Sequence, residues 1–156
     1  SPATVSRCGM VYMQPQEIGW KPHFISWKNT LPPFFSGTED EPNNVYLANV
    51  EELVEIIVDP IIKFVRRECV ETSATNDQSI VQALLRLWGT LLKRFNEASF
   101  TAELDKRQAM QVIDNMFLFS TIWSLCITCD SEYRRPIDQY LRKVLDGSVE
   151  NLPKFQ

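Results

Sequence analysis

Between Val45 and Val70, apolar residues return every three or four positions: Leu47, Val50, Leu53, Val54, Ile57, Ile61, Phe64, Val65 and Cys69. That spacing gathers them on one side of a helix. Asp59-Pro60 interrupts the run. Either Asp59 caps a new helix with Pro60 at its first position, or Pro60 kinks one long helix. The periodicity continues on both sides of the pair, which favours the long kinked helix. A second stripe (Ile80, Leu84, Leu87, Trp88, Leu91, Phe95) predicts a helix with Asp77 as its N-cap. After a polar connection near 96–101, a helix is predicted over about 105–127. It begins polar and ends almost wholly apolar, so its second half is expected inside a bundle. The last helix, about 133–146, carries Ile137, Tyr140, Leu141, Val144 and Leu145, and Gly147 is placed to end it.

Earlier in the chain, Pro15 followed by Gln16 and Glu17 opens a predicted helix that runs through about Asn29. Ile18, Trp20, Phe24, Ile25 and Trp27 give it an apolar face, and Leu31-Pro32-Pro33 stops it. Residues 37–44 form a polar loop, and Met10, Val11, Tyr12 and Met13 suggest a short strand. The expected fold is therefore all-α, a helical bundle of about five helices with a short N-terminal strand-like segment.

Composition narrows the function classes. The 156 residues are 44% hydrophobic and 23% charged, the balance of a globular domain with a core of its own. The net charge of −4 and a pI near 5.1 leave no basic footprint for nucleic acid, and disfavour direct docking on an acidic surface such as tubulin. The most apolar stretch, Met116–Cys129, is about 14 residues long and contains Ser120, Thr121, Ser124 and Thr128, too short and too polar for a membrane span. Seven acids and no base lie between Glu39 and Asp59 (Glu39, Asp40, Glu41, Glu51, Glu52, Glu55, Asp59). They read as a solvated face or as a docking face for a basic neighbour.

Candidate chemistry is sparse. Cys126 and Cys129 have Cys-x-x-Cys spacing, but no second pair or histidine cluster completes a metal site, so Cys8, Cys69, Cys126 and Cys129 read as reduced thiols. His23 is the only histidine, and neither Asp114 nor Asp130 has an acid/base partner in sequence. No Gly-x-x-x-x-Gly-Lys phosphate loop is present. The aromatic residues Trp20, Trp27, Trp88, Trp123, Phe117 and Phe119 are assigned to the core, and Arg134, Arg135 and Arg142 to a solvated or interdomain face. Arg7 stands apart. It follows Ala-Thr-Val-Ser, between a predicted helix end and the apolar stretch Met10–Met13, where a planar guanidinium suits a phosphate better than an ammonium does.

Ser6-Arg7-Cys8 resembles the arginine-finger motif of AAA+ clamp loaders. The run Ser1-Pro-Ala-Thr-Val-Ser-Arg-Cys-Gly-Met-Val-Tyr12, with Ile18-Gly-Trp-Lys-Pro22 and Ser26-Trp27, resembles more specifically the second AAA+ module of dynein heavy chains of the axonemal type. Phe117-Leu-Phe-Ser-Thr-Ile-Trp-Ser124 and Arg134-Arg-Pro-Ile-Asp-Gln-Tyr-Leu-Arg142 are similar to later helices of that module. The resemblance implies that residues 1–13 end the large αβ subdomain and carry the finger. Residues 14–147 would form the helical lid, and 148–156 would begin the linker to the next module. It also implies that Arg7 reaches ATP held by the preceding module, with Ser6, Cys8 and Gly9 positioning it. In many such lids a second arginine senses nucleotide early in the third helix; here that place holds Asn115-Met-Phe-Leu-Phe119, and Arg107 lies well before it. The departure implies a module that binds ATP without hydrolysing it.

The parent would be a microtubule-motor ATPase of the cytoplasm and the cilium or flagellum axoneme, using ATP/ADP with Mg, while the fragment alone is expected to bind neither. Implied partners are adjacent AAA+ modules of the same heavy chain and, through other parts of the parent, microtubules and intermediate and light chains. Nucleic acid and membrane are not implied. Two alternatives stay open: the lid of another AAA+ ATPase, such as a clamp loader, or an autonomous helical interaction module.

Overall fold

The computed structural model describes residues 1–9, 13, 18–37 and 44–149, with residues 5–7 described in their backbone alone. Among these, the α-helices are α1 (Pro2–Cys8), α2 (Lys21–Lys28), α3 (Val45–Glu68), α4 (Asp77–Leu92), α5 (Ala98–Ala102), α6 (Lys106–Thr121) and α7 (Arg134–Leu145). A π-helical segment, Ile122–Cys126, prolongs α6. Five of these helices (α2, α3, α4, α6 and α7) make the expected bundle, and the described residues contain no strand. Met10–Tyr12, the body of the anticipated strand, lies outside the described residues.

α3 is the axis of the bundle. Pro60 sits inside a single continuous helix, as the unbroken periodicity suggested. Asn44 caps it, its Oδ1 accepting from the Tyr46 and Leu47 amides at 2.8 and 3.1 Å. The same side chain donates through Nδ2 to the carbonyls of Phe34 and Ser36, which fastens the preceding 3₁₀ turn, Pro33–Phe35. Burial extends beyond the predicted stripe: Ile56, Val58, Pro60 and Ile62 are covered as well as Val50, Leu53, Val54, Ile57, Ile61 and Val65. The helix is enclosed on several sides because α6, the π segment and α7 all pack on it.

α4 begins at Asp77, one residue earlier than expected, because Asn76 is the cap and its Oδ1 accepts from the Ser79 amide at 2.7 Å. The buried Trp88 of α4 packs against Phe117 of α6, with ring centroids 4.6 Å apart. A fully buried aromatic of this size contributes about 2–3 kcal/mol through apolar burial. The connection at 96–101 includes a short helix, α5, where only a polar link was expected. α6 starts at the predicted place through a reciprocal capping box between Asp105 and Gln108. Gly147, at φ 64°, ends α7 in the left-handed region.

The front of the chain departs most from expectation. Ser1 caps α1, which carries Pro2 in its first turn and ends at Gly9 with φ 56°. The proposed helix start at Pro15 lies outside the described residues. A helix running continuously from there to Asn29 is excluded by Gly19, whose φ of 69° breaks the chain before α2 begins at Lys21 with Pro22 in its first turn. Of the predicted apolar face, Trp20 is buried and Phe24 and Trp27 are half-buried, whereas Ile18 and Ile25 are exposed.

Candidate functional site

Arg7 falls in the last turn of α1, between the Ser1 cap and the left-handed Gly9. The side chains of Ser6 and Arg7 lie outside the described residues, while Cys8 and Gly9 are exposed. This seven-residue helix is closed at both ends by its own chain, by the Ser1 side chain at one and by Gly9 at the other.

Further along the chain, the Trp20 indole N–H donates to Asp59 Oδ1 at 2.9 Å, and Gln78 Nε2 donates to the Gly19 carbonyl at 3.1 Å. These bonds tie the segment before α2 to both α3 and α4. Lys28 pairs with Glu51, so α2 is held to α3 at both ends. The acidic stretch is thereby partly accounted for: Asp59 and Glu51 serve internal contacts, and Glu55 shares the groove between α2 and α3 with Trp20, Lys21 and Lys28. Glu39, Asp40 and Glu41 lie outside the described residues. Against α4, Trp27 stacks on Trp88 at 5.2 Å and Gln82 contacts the His23 ring, consistent with a structural histidine.

Asp114 of α6 is half-buried and accepts from Asn49 Nδ2 of α3 at 2.7 Å. Burial pushes its carboxyl above the ordinary aspartate value, against the opposing effect of the Asn49 hydrogen bond. No second carboxylate is recorded in that pairing, so the arrangement joins two helices. Arg107 is exposed near the start of α6. Arg134 and Arg135 are exposed at the start of α7, and Arg142 pairs with Asp138 one turn before it, on the solvated face expected of them.

The far end of α3 is closed by a cluster. Arg66 pairs with Glu71 and with Asp77, the latter at 2.9 Å, while Thr75 Oγ1 donates to Glu71 at 2.6 Å. Burial alone would raise the Glu71 carboxyl; the Thr75 hydrogen bond and the Arg66 charge oppose it, and the group lies below its ordinary value. An isolated antiparallel bridge joins Glu71 to Cys129, with the Thr72 amide donating to Thr128 O at 2.9 Å and the Asp130 amide to Val70 O at 3.1 Å. Cys69 meets Cys129 here, a contact that the 60 or so intervening residues conceal in sequence.

Sequence reasoning also missed a second apolar stripe on α6 and its π extension. Phe119, Ile122, Trp123 and Ile127 are exposed, Trp123 by 56%, so Phe119 and Trp123 are corrected from core to surface. Phe117, Ser120, Thr121, Ser124 and Leu125 take the buried side instead. The stripe borders an apolar groove against α7, lined by Ile122, Trp123, Cys126, Ile127, Ile137 and Leu141. A helix apolar all round signals either full enclosure or an unfilled contact, and only the first was inferred.

Among the described residues, no group of three His, Cys, Asp or Glu side chains is placed to hold a metal ion, and no helix is long and apolar enough to cross a membrane.

Residues 50–156 match the family model described as Dynein heavy chain AAA lid domain. Over 99% of its length the chain is 30% identical to dynein axonemal heavy chain 3 of Homo sapiens, of which it covers 4%. It is 34% identical over 97% of its length to dynein axonemal heavy chain 2 of Mus musculus, covering 3% of that protein. It is 33% identical over 98% of its length to dynein axonemal heavy chain 12 of Mus musculus, covering 5%. The chain thus spans a small fraction of the relatives it matches. No solved structure gives a significant match.

Proposed function

Because this chain belongs to the dynein heavy chain AAA lid domain family, we propose that residues 14–147 act as the helical lid of the second AAA+ module of an axonemal heavy chain. On this reading residues 1–13 end that module's large subdomain, and 148–156 begin the linker to the next. The parent would be a microtubule-motor ATPase of the cilium or flagellum, with ATP or ADP and Mg held by other parts of the heavy chain. The order of the matched segments along nearly the whole chain supports the dynein assignment over a clamp-loader lid. The acidic charge supports it too.

The lid's task is mechanical. One continuous core from Trp20 to Val144 moves as a unit, so a nucleotide-dependent tilt at one face is delivered undiminished at another. The absence of an arginine in the Asn115–Phe119 stretch supports a module that binds nucleotide without turnover. The exposed strip of Phe119, Ile122, Trp123 and Ile127 supports a contact with an adjacent module of the same chain.

Arg7 is the arginine finger in this reading, directed at the phosphates held by the preceding module. Charge builds on a phosphoryl group during its transfer, and a guanidinium supplied across an interface accelerates that step by about 10³–10⁵-fold. The observation that carries the role is its place at the end of a short, doubly capped helix. In the intact heavy chain, Arg7→Ala is expected to lower ATP turnover by at least about 10³-fold at the preceding site while nucleotide binding persists. Turnover equal to that of the unaltered motor would remove Arg7 from the role.

A further inference from the structure

The exit of α3 and the turn after the π segment bring together two thiols that lie far apart in sequence. Cys69 is the C-cap of α3, and the next residues are zipped to 128–130 by the Glu71–Cys129 bridge and its flanking hydrogen bonds. The Cys69 and Cys129 thiols are near enough there for each to shift the ionisation of the other. All four cysteines are free. Cys129 also lines the apolar groove between the π segment and α7, which offers a path for a small neutral reagent. Both sulfurs are thus held by backbone pairing, and one of them faces an opening.

We infer that Cys69 and Cys129 are a peroxide-responsive dithiol pair, whose oxidation to a disulfide locks the exit of α3 to the entry of α7. Cys129 reacts first. It lines the groove, which gives peroxide access to it, although burial raises its thiol. Burial and the neighbouring Cys129 push Cys69 up to about 11. The Cys129 thiolate attacks one oxygen of hydrogen peroxide; the O–O bond breaks, the displaced hydroxide takes up a proton as water, and Cys129 becomes a sulfenic acid. The Cys69 sulfur then attacks the Cys129 sulfur. The S–O bond breaks, hydroxyl leaves with the Cys69 proton as a second water, and the S–S bond forms. The two thiols lose two electrons and peroxide gains them. Because both thiols are raised, the pair answers sustained oxidation and is faster at alkaline pH.

Cys126 is the rival partner, one turn before Cys129 and buried with its thiol pushed up to about 12. The test treats the 156-residue chain, in native buffer at low protein concentration, with dilute hydrogen peroxide, followed by alkylation and peptide mapping. The expected result is an intramolecular Cys69–Cys129 peptide, reversed by dithiothreitol, kept in Cys126→Ser and lost in Cys69→Ser. A Cys126–Cys129 link overturns the inference. So does Cys129 advancing to sulfinic acid beside an alkylated Cys69, or oxidation confined to Cys8. The map of the unaltered chain decides between these outcomes even if a serine variant fails to fold.

Discussion

Single side chains connect the pieces of this molecule, and their ionisation gives each a separate signature. Glu71 and Asp114 are shifted in opposite directions, so they shape stability on opposite sides of the carboxylate range. Glu71 is lowered in the folded chain; its contribution is present above the ordinary glutamate value and is lost as pH falls below it. Asp114 is raised; its contribution is present at low pH and is lost as pH rises through its folded value. Urea midpoints measured across pH should therefore lose part of their acid-side fall in Glu71→Gln. In Asp114→Asn the decline on the rising side should disappear, with stability at neutral pH equal to or above that of the unaltered chain. Trp20→Phe should cost at least about 1 kcal/mol in a chemical melt, because it removes the indole donor from Asp59 and trims a buried ring. An unchanged midpoint would mean that the bond does not fasten the front of the chain.

Helices were legible where spacing and caps agree. The Val45–Val70 stripe located α3, and Pro60 did not break it because a long flanking core outweighs one missing hydrogen bond. The expected start near 105 agrees with α6, which Asp105 and Gln108 cap. The Asp77 reading failed by one position because Asp and Asn adjoin there and both can cap; geometry chose Asn76. The front differs for another reason: the left-handed Gly19, which spacing does not reveal, separates Ile18 from α2, whose first turn holds Pro22. On the candidate site, sequence supplied Arg7 and the arginine-poor stretch of α6. The Cys69–Cys129 meeting and the outward turn of Phe119 and Trp123 depend on pairings across the fold, which periodicity does not encode. Gly89 provides a test at this scale. A Cβ there would lie 2.8 Å from the Trp27 indole nitrogen, so Gly89→Ala sets a helix-propensity gain of about 1 kcal/mol against displacement of a stacked ring. A net loss of about 1 kcal/mol is expected by thermal unfolding, and a gain would show that α2 yields freely.

For the whole molecule, the exposed apolar strip separates folding from assembly. Trp123→Glu should leave the thermal midpoint of the isolated chain within about 2 °C, because the indole is 56% exposed. In the intact heavy chain the same change should impair motility, if an adjacent module covers the strip. Normal motility would assign that surface to solvent.

The bridge between Glu71 and Cys129 also governs how the lid carries load. α4, α5, α6 and the π segment all lie within the loop that it closes, whereas α3 leads in and α7 leads out. α7 starts beside the bridge and packs back along α3, with Phe64 stacked on Tyr140 at 4.1 Å. Tension applied between the incoming and outgoing chain therefore falls on the α3–α7 seam as a peeling load that the bridge arrests, and bypasses the enclosed helices, which can stay folded while the seam bears the pull.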